Sequence, residues 1–261
     1  MPFAKINGND LYYEDAGGRS PAVIFCHGFL LDHSMWDAQV KAFAKTFRCI
    51  TWDERGHGMS ECRGPFDFYD LAADAIGILD ELNITQATFV GMSQGGFLSQ
   101  RAAWKYPDRV KALVLIDTAA AVFSPEVLAT YEDSAESWLA QGPVGEIATG
   151  MADLLFGPKY EGSPEWIGKW RSKPPNEFAH PWHTVLGRDD FMHRLPEIKC
   201  PSLVIHGSKD QAFDLATAEG LRDNLGDCKG LVVVRGAAHA PNVTHPTEVN
   251  AALRKFLGKY A

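Results

Sequence analysis

Short apolar runs alternate with helical patterns of hydrophobic residues along most of the chain. Strand-like runs occupy residues 23–26, 49–52, 87–90, 112–116, 202–205 and 231–234. Apolar residues spaced by three or four positions predict helices from Ser34 towards Phe47, over 70–82, directly after Ser93 and from Pro246 onward. Buried parallel strands are apolar on both faces, and the helices between them pack on both sides. The pattern therefore predicts an α/β fold with a mostly parallel, doubly wound sheet.

Two parts of the chain depart from this alternation. Residues 3–6 and 11–14 flank the turn sequence Asn-Gly-Asn-Asp, which predicts an opening hairpin. The region 119–194 lacks convincing strand patterns and contains two consecutive prolines and four tryptophans, Trp138, Trp166, Trp170 and Trp182. We predict that this region, here called the cap segment, is a helical insertion over the carboxyl ends of the strands, where ligands bind in such sheets. The α/β core would then comprise residues 1–118 and 195–261.

Composition and charge narrow the possible partners. With 46% hydrophobic and 22% charged residues, the chain can bury a substantial core. Its net charge of −8 and the absence of a basic cluster argue against nucleic acid or an anionic membrane as the main partner. The N-terminal sequence lacks the features of a secretory signal, and no apolar stretch reaches membrane-spanning length. Five scattered cysteines without a C-x-x-C pair are typical of reduced thiols, so we expect a cytoplasmic protein.

A serine between two glycines carries the strongest chemical signal. In Gly91-Met92-Ser93-Gln94-Gly95 an apolar run meets a serine, and a helical pattern follows. This is the sequence form of a nucleophile elbow, a sharp turn between strand and helix that exposes a serine hydroxyl. Glycines suit the flanking positions, because the backbone at the serine is strained and larger side chains would collide. The motif alone is modest evidence, so its context decides.

Serine needs a base to remove its proton, and the base needs a third group to fix its tautomer. The run at 203–205 continues into a loop that contains Asp210, and the run at 232–234 continues into a loop that contains His239. The order serine, aspartate, histidine along the chain agrees with one known triad arrangement. We therefore predict that these two residues act with Ser93.

Other carboxylates and one other histidine compete for these roles. Asp117 ends the strand-like run at 112–116, and Asp214 lies in the same loop as Asp210. Asp210 itself could be an ordinary carboxylate of a surface loop. We favour it because Asp117 has another possible role, anchoring the start of the cap segment. His245 precedes Pro246 and is better explained as the start of the last helix.

Together these motifs resemble the α/β-hydrolase family over nearly the whole chain. The matching motifs are His27-Gly28 after an early strand, Asp53-x-Arg55-Gly56-x-Gly58-x-Ser60, Gly91-x-Ser93-x-Gly95, His206-Gly207-x-x-Asp210 and Gly236-x-x-His239. The resemblance implies Ser93 as the nucleophile, His239 as the base and Asp210 as the carboxylate that orients the base. It also implies an oxyanion hole made by the backbone N–H groups of Phe29 and Gln94.

The remaining polar motif residues have structural interpretations. By the same resemblance, His27 braces the oxyanion loop, and Asp53 with Arg55 forms a turn that supports the same rim. His180 and His183 are spaced by one helical turn, but the sequence offers no third ligand beside them. We therefore expect no metal site, and the predicted chemistry needs no cofactor.

The serine at the elbow narrows the reaction class. Haloalkane dehalogenases and epoxide hydrolases of this family use an aspartate there, so acyl transfer to water remains. We predict a hydrolase of small to medium carboxylic esters or lactones that forms an acyl-enzyme. Phe29 follows His27-Gly28 without the glycine run of many lipases, which disfavours a long-chain lipase. The predicted pocket residues are Leu30, Trp36, Met92, Trp138 and Trp182.

Several alternatives share the same residues. A lactonase, a C–C bond hydrolase and a cofactor-free perhydrolase would all use the same triad. The overall layout is similar to that of the 3-oxoadipate enol-lactonases, but no residue cluster indicates an acidic substrate. The non-enzymatic alternative is a small-molecule receptor of the α/β-hydrolase type with an intact triad and slow turnover. The sequence carries no signal for the oligomeric state.

Overall fold

The computed structural model describes residues 3–17 and 21–261 and contains an eight-stranded sheet with helices on both faces. The strands are β1 (Phe3–Ile6), β2 (Asn9–Asp15), β3 (Ala22–Cys26), β4 (Arg48–Trp52), β5 (Ala87–Met92), β6 (Val110–Ile116), β7 (Ser202–Gly207) and β8 (Cys228–Val234). The helices are α1 (Asp37–Phe43), α2 (Phe68–Glu81), α3 (Gln94–Lys105), α4 (Pro125–Gln141), α5 (Gly145–Phe156), α6 (Ser163–Arg171), α7 (Ala179–Leu186), α8 (Leu215–Asn224), α9 (Pro241–Thr244) and α10 (Pro246–Tyr260). Short 3₁₀ helices lie at His33–Trp36, Pro175–Phe178 and Met192–Glu197.

The strand order β1-β2-β4-β3-β5-β6-β7-β8 confirms the predicted fold class. Strand β2 pairs antiparallel with both β1 and β4, and every following pair is parallel. Strand β3 lies between β4 and β5. The connection from β3 to β4 and the crossover from β4 to β5 therefore run in opposite directions along the sheet. The carboxyl ends of these three strands meet at a topological switch point, which is where such sheets bind ligands.

Side-chain alternation divides the core into two layers. Val23 and Phe25 of β3 belong to a cluster that includes residues of α1 and α10, whereas Ile24 belongs to a cluster formed with α2, α3 and α8. All five residues of β3 are buried. This double burial explains why the parallel strands are continuous apolar runs in the sequence instead of alternating patterns.

The observed boundaries differ from the predicted ones in a few places. The helix predicted from Ser34 towards Phe47 is a 3₁₀ turn followed by α1, which ends at Phe43. The Asp32 side chain accepts a hydrogen bond from the Ser34 N–H at 2.9 Å and thereby caps the 3₁₀ turn. Strands β5 and β7 each run two residues further than predicted. In the described part of the chain, no helix is both long and apolar enough to cross a membrane.

Between β6 and β7 the chain forms α4 to α7 and no strand. Of these helices, α6 is attached to the loop after β3. The indole N–H of Trp170 donates to the carbonyl oxygen of Leu30 at 2.6 Å, and the Lys169 ammonium lies 3.0 Å from Asp32 Oδ2. The limits of the cap segment at residues 119 and 194 remain a prediction.

Two glycines allow α3 to begin directly against the sheet. A Cβ atom at Gly95 would lie 2.1 Å from the carbonyl oxygen of Cys26, and one at Gly91 would lie 2.2 Å from the carbonyl oxygen of Gly95. Both contacts are far shorter than van der Waals distance, and backbone atoms cannot rotate away from them. The close approach of α3 to the end of β3 therefore requires glycine at both positions.

We expect Gly95→Ala to destabilise the protein by about 1–3 kcal/mol, because the added methyl group must push α3 away from β3. The matched control is Gly168→Ala in α6, where a Cβ atom meets no other atom within 4 Å. Alanine favours helix there, so the control should gain about 0.5–1 kcal/mol. Urea unfolding at neutral pH measures both changes, and equal effects of the two substitutions would contradict the close approach.

Candidate active site

Ser93 occupies the turn between β5 and α3 in a strained backbone conformation. Its φ of 51° and ψ of −114° lie in a region that residues other than glycine rarely adopt. The Ser93 N–H donates to the carbonyl oxygen of Ile116 at 2.9 Å. Its own carbonyl oxygen accepts bonds from the Gly96 N–H and the Thr118 hydroxyl, at 2.9 and 2.7 Å. These bonds hold the turn, so the hydroxyl stands at the carboxyl edge of the sheet.

The structure brings Ser93, His239 and Asp210 into one hydrogen-bonded chain. His239 Nε2 lies 2.9 Å from Ser93 Oγ, and His239 Nδ1 lies 2.9 Å from Asp210 Oδ2. The second oxygen of Asp210 accepts a bond from the Ala212 N–H at 2.8 Å. Because the carboxylate accepts at Nδ1, the neutral imidazole keeps its proton there and presents a lone pair to the serine hydroxyl. The arrangement can therefore take a proton from Ser93.

Asp210 is held in its ionised form. Burial by itself would raise the pKa of its carboxyl group. Attraction to His239 and hydrogen bonds from His239, Asp117 and the Ala212 N–H outweigh burial, and they lower the pKa of Asp210 below its ordinary value. A carboxylate in this position stabilises an imidazolium when His239 accepts a proton.

Asp117, the alternative third member, lies beside Asp210 at the end of β6. Atoms of Asp117, Asp210 and His239 lie within 4.8 Å of one another, and the His239 hydrogen bond goes to Asp210. Asp117 Oδ1 accepts the Gly207 N–H at 2.8 Å. Burial, and then repulsion from Asp210, raise the pKa of Asp117 well above its ordinary value. Of the two neighbouring carboxyl groups, Asp117 is therefore the one whose protonated form is favoured, whereas the ionised form of Asp210 is favoured.

The other competing residues have local structural roles. The Asp214 side chain accepts the Thr217 N–H at 2.8 Å and caps α8. His245 immediately precedes α10, as expected, and its Nδ1 lies 2.9 Å from the Thr244 hydroxyl. His183 of the cap segment is exposed to solvent.

Phe29 and Gln94 line the cavity at Ser93, one from the loop after β3 and the other as the first residue of α3. Within the described ranges, neither backbone N–H donates to a protein acceptor. The first N–H groups of a helix have no partner inside the helix and favour negative charge. Two free N–H groups at this cavity are suited to an oxyanion.

His27 is buried beneath the loop that carries Phe29. Its Nε2 accepts the Glu54 N–H at 2.9 Å, so the ring proton lies on Nδ1 and is donated to the carbonyl oxygen of Gly28 at 2.8 Å. Burial lowers the pKa of His27 below its ordinary value, which keeps the ring neutral. This placement agrees with a bracing role and leaves His27 without contact to Ser93 Oγ.

The side chains of Asp53 and Arg55 have different partners. Asp53 accepts the backbone N–H groups of His33 and Met59, both at 2.8 Å, and so connects two loops. Arg55 instead forms an ion pair with Asp74 of α2 at 2.5 Å. The sequence could not show this exchange, because Asp74 becomes a partner only when α2 packs on the sheet.

The cavity above Ser93 is small and apolar. Its volume is about 40 Å³, and it adjoins a groove of about 630 Å³ between α4 and α5. The cavity and the groove share Tyr131, Met151, Leu154 and Ala212. The other apolar walls of the cavity are Phe29, Phe97, Phe123, Leu155, Val185 and Phe213. Most of these residues were not apparent from the sequence, since their position depends on how α4 and α5 dock.

None of the five predicted pocket residues lines this cavity. Trp36 and Met92 are completely buried in the core, where Trp36 packs 5.2 Å from the Phe25 ring. Trp138 packs against Trp182, with ring centroids 6.3 Å apart, and also lines the neighbouring groove. Leu30 lines a separate concavity beside α6. Trp36 and Trp182 line neither the cavity nor the groove, because their large apolar area is buried in packing between elements.

Comparisons with known proteins give the same architecture. Residues 21–246 match the family model described as alpha/beta hydrolase fold. The chain is 30% identical to 3-oxoadipate enol-lactonase 2 of Acinetobacter baylyi, over 92% of this chain and 90% of that protein. A thermophilic esterase from Thermogutta terrifontis has a TM-score of 0.90 at 30% identity, with 99% of both chains covered. The enol-lactonase from Burkholderia xenovorans has a TM-score of 0.88 at 29% identity, with 98% of this chain and 100% of that chain covered.

Proposed function

Because the chain belongs to the α/β-hydrolase fold family, we propose that it hydrolyses carboxylic esters or lactones with Ser93 as the nucleophile. The observation that carries the proposal is the chain of two 2.9 Å contacts from Ser93 through His239 to Asp210. The similarity to an esterase and to enol-lactonases over almost the full length supports the same chemistry.

The proposed reaction has two stages. Ser93 Oγ attacks the substrate carbonyl carbon as its proton passes to His239 Nε2, and the N–H groups of Phe29 and Gln94 stabilise the oxyanion. His239 then gives the proton to the leaving alkoxide, and an acyl-enzyme remains. In the second stage His239 takes a proton from water, the hydroxide attacks the acyl carbon, and the carboxylic acid leaves as Ser93 recovers its proton.

The cavity limits the group that lies next to the reacting carbonyl. A volume of about 40 Å³ has room for only a few non-hydrogen atoms. The rest of the substrate is accommodated by the groove between α4 and α5. We therefore propose substrates with a short apolar acyl group or a compact lactone ring. Hydrolysis of a lactone panel followed by pH-stat, beside p-nitrophenyl esters, determines which class is preferred.

Ser93→Ala should abolish turnover of p-nitrophenyl acetate, with a loss on the order of 10⁴–10⁶-fold in kcat, because the nucleophile is missing. The thermal midpoint should stay nearly unchanged, since only a hydroxyl group is removed. Retained turnover contradicts the nucleophile assignment. A wild-type burst of about one equivalent with little further turnover would instead favour the receptor alternative.

Asp210→Asn should lower kcat by up to about 10⁴-fold, because an amide cannot fix the productive tautomer of His239. Asp117→Asn is the matched comparison and should lower kcat by less than about tenfold, since its amide can donate to Asp210 as the protonated carboxyl does. Steady-state kinetics with p-nitrophenyl acetate measures both variants. If Asp117→Asn is the damaging change, Asp117 is the third member of the triad.

Wild-type kcat/KM should fall as the acyl chain lengthens from acetate to butyrate to octanoate. Leu154→Ala enlarges the cavity and should improve octanoate relative to acetate by about tenfold, as expected for a few methylene groups in an apolar pocket. Leu139→Ala is the control, because Leu139 is also a half-buried leucine of the cap segment and does not line the cavity. A shift of the same size in both variants would contradict the assignment of the cavity.

A further inference from the structure

Glu54, the second residue after β4, is a completely buried carboxyl group. Within residues 3–17 and 21–261 it forms no ion pair with any cation. Burying an ionised carboxylate without a partner is very costly, and such a group normally becomes neutral. The proposed reaction mechanism does not use the Glu54 side chain, so its burial needs another explanation.

The side chain of Glu54 pairs with that of Gln94. Gln94 Nε2 donates to Glu54 Oε2 at 2.5 Å. Glu54 Oε1 and Gln94 Oε1 are both buried, and neither has a hydrogen-bond partner. A proton on Glu54 Oε1 would donate to Gln94 Oε1 and satisfy both oxygens, which closes a cyclic pair of two hydrogen bonds. An ionised Glu54 would leave both oxygens unsatisfied, at a cost of about 1–3 kcal/mol each.

The surroundings of Glu54 also favour a neutral acid. Burial, and then repulsion from Asp53 and Asp74, raise the pKa of Glu54 well above its ordinary value despite the bond from Gln94. Arg55, the nearby cation, is paired with Asp74. The other titratable neighbours are neutral, because burial lowers the pKa of His27 and of His57 and raises the pKa of the Cys26 thiol to about 12.

We propose that Glu54 is a positioning residue of the oxyanion hole, whose neutral carboxylic acid holds Gln94 in place and whose backbone N–H orients His27 beneath Phe29. This inference rests on the proposed function. The side chain of Glu54 fixes Gln94, whose backbone N–H is one donor. The backbone N–H of Glu54 fixes His27, which donates to the carbonyl oxygen of Gly28.

That carbonyl belongs to the same peptide unit as the Phe29 N–H, the second donor. In a trans peptide the C=O and the N–H point in opposite directions within one plane. A hydrogen bond from His27 to the carbonyl therefore sets the direction of the Phe29 N–H. Glu54 therefore acts on Gln94 through its side chain and on Phe29 through its backbone N–H and His27.

The first test measures the protonation of Glu54 through protein stability and needs no activity assay. A carboxyl group with a higher pKa in the folded than in the unfolded protein stabilises the fold less as pH rises above the unfolded value of about 4.5. E54Q cannot titrate, and its amide reproduces both hydrogen bonds to Gln94. The folding constant of E54Q relative to wild type should therefore rise with pH from about pH 5, by up to about tenfold per pH unit until the pH reaches the folded-state pKa of Glu54, in urea unfolding between pH 5 and 8.

The control is E81Q at the exposed end of α2, whose folding constant relative to wild type should not change over the same range. Comparison with wild type cancels the titration of every other buried acid. A ratio for E54Q that is independent of pH would show an ionised Glu54 and overturn the proposal. The result stands even if the wild-type protein hydrolyses no ester or lactone, so failure of the proposed function is recognised separately.

The second test uses kinetics with p-nitrophenyl acetate. E54M has similar size but no hydrogen-bonding group, and its kcat should fall about 10–100-fold with KM changed less than about threefold. The reason is that the donors act on the transition state more than on bound substrate. E54Q should keep kcat within about threefold of wild type. Wild-type kcat in E54M, or an E54Q as impaired as E54M, overturns the positioning role.

Discussion

The close contact between the start of α3 and the end of β3 is the constraint on which the site depends. A Cβ atom at Gly95 would lie only 2.1 Å from the Cys26 carbonyl oxygen, so α3 can begin this close to β3 only with glycine at that position. The serine before it must then adopt a positive φ, which costs of order 1–3 kcal/mol in a residue other than glycine. That strain is compensated by the bonds from Ser93 to Ile116 and Thr118. The hydroxyl and the first free N–H of α3 consequently share one rigid turn.

Buried acids surround this turn in two different states. The pKa of Asp210 is lowered beside His239, whereas burial and repulsion from Asp210 raise the pKa of Asp117 and favour its neutral form. The difference follows from their partners, because Asp210 receives bonds from an imidazole, a backbone N–H and the Asp117 acid, and Asp117 has mainly one backbone N–H. A single negative charge is thus directed at the imidazole. The same logic makes a neutral Glu54 compatible with an electrostatically demanding site.

The proposed catalytic residues could be predicted from the sequence because each of them belongs to a short local motif. Ser93, Asp210 and His239 each follow an apolar strand, so the order of strands in a parallel sheet carries them to one edge, where the structure places them in contact. Most residues that line the cavity beside Ser93 could not be predicted in this way. Met151 and Leu154 reach the cavity only through the packing of α5, and the tryptophans that seemed suited to a pocket are instead used to join helices. Specificity therefore depends on tertiary packing that no short motif records.

The hydrogen bond from the Trp170 indole to the Leu30 carbonyl connects α6 of the cap segment to the loop after β3. Leu30 has a φ of 62° and directly follows Phe29, so α6 is fastened to the segment that carries the proposed oxyanion donor. Lifting α6 would pull that donor out of alignment and leave the acyl-enzyme poorly supported. The α4 and α5 side has no such attachment to Phe29, and it borders the large groove. Substrate and product that pass on the α4 and α5 side would therefore leave the proposed Phe29 donor in place during the proposed reaction.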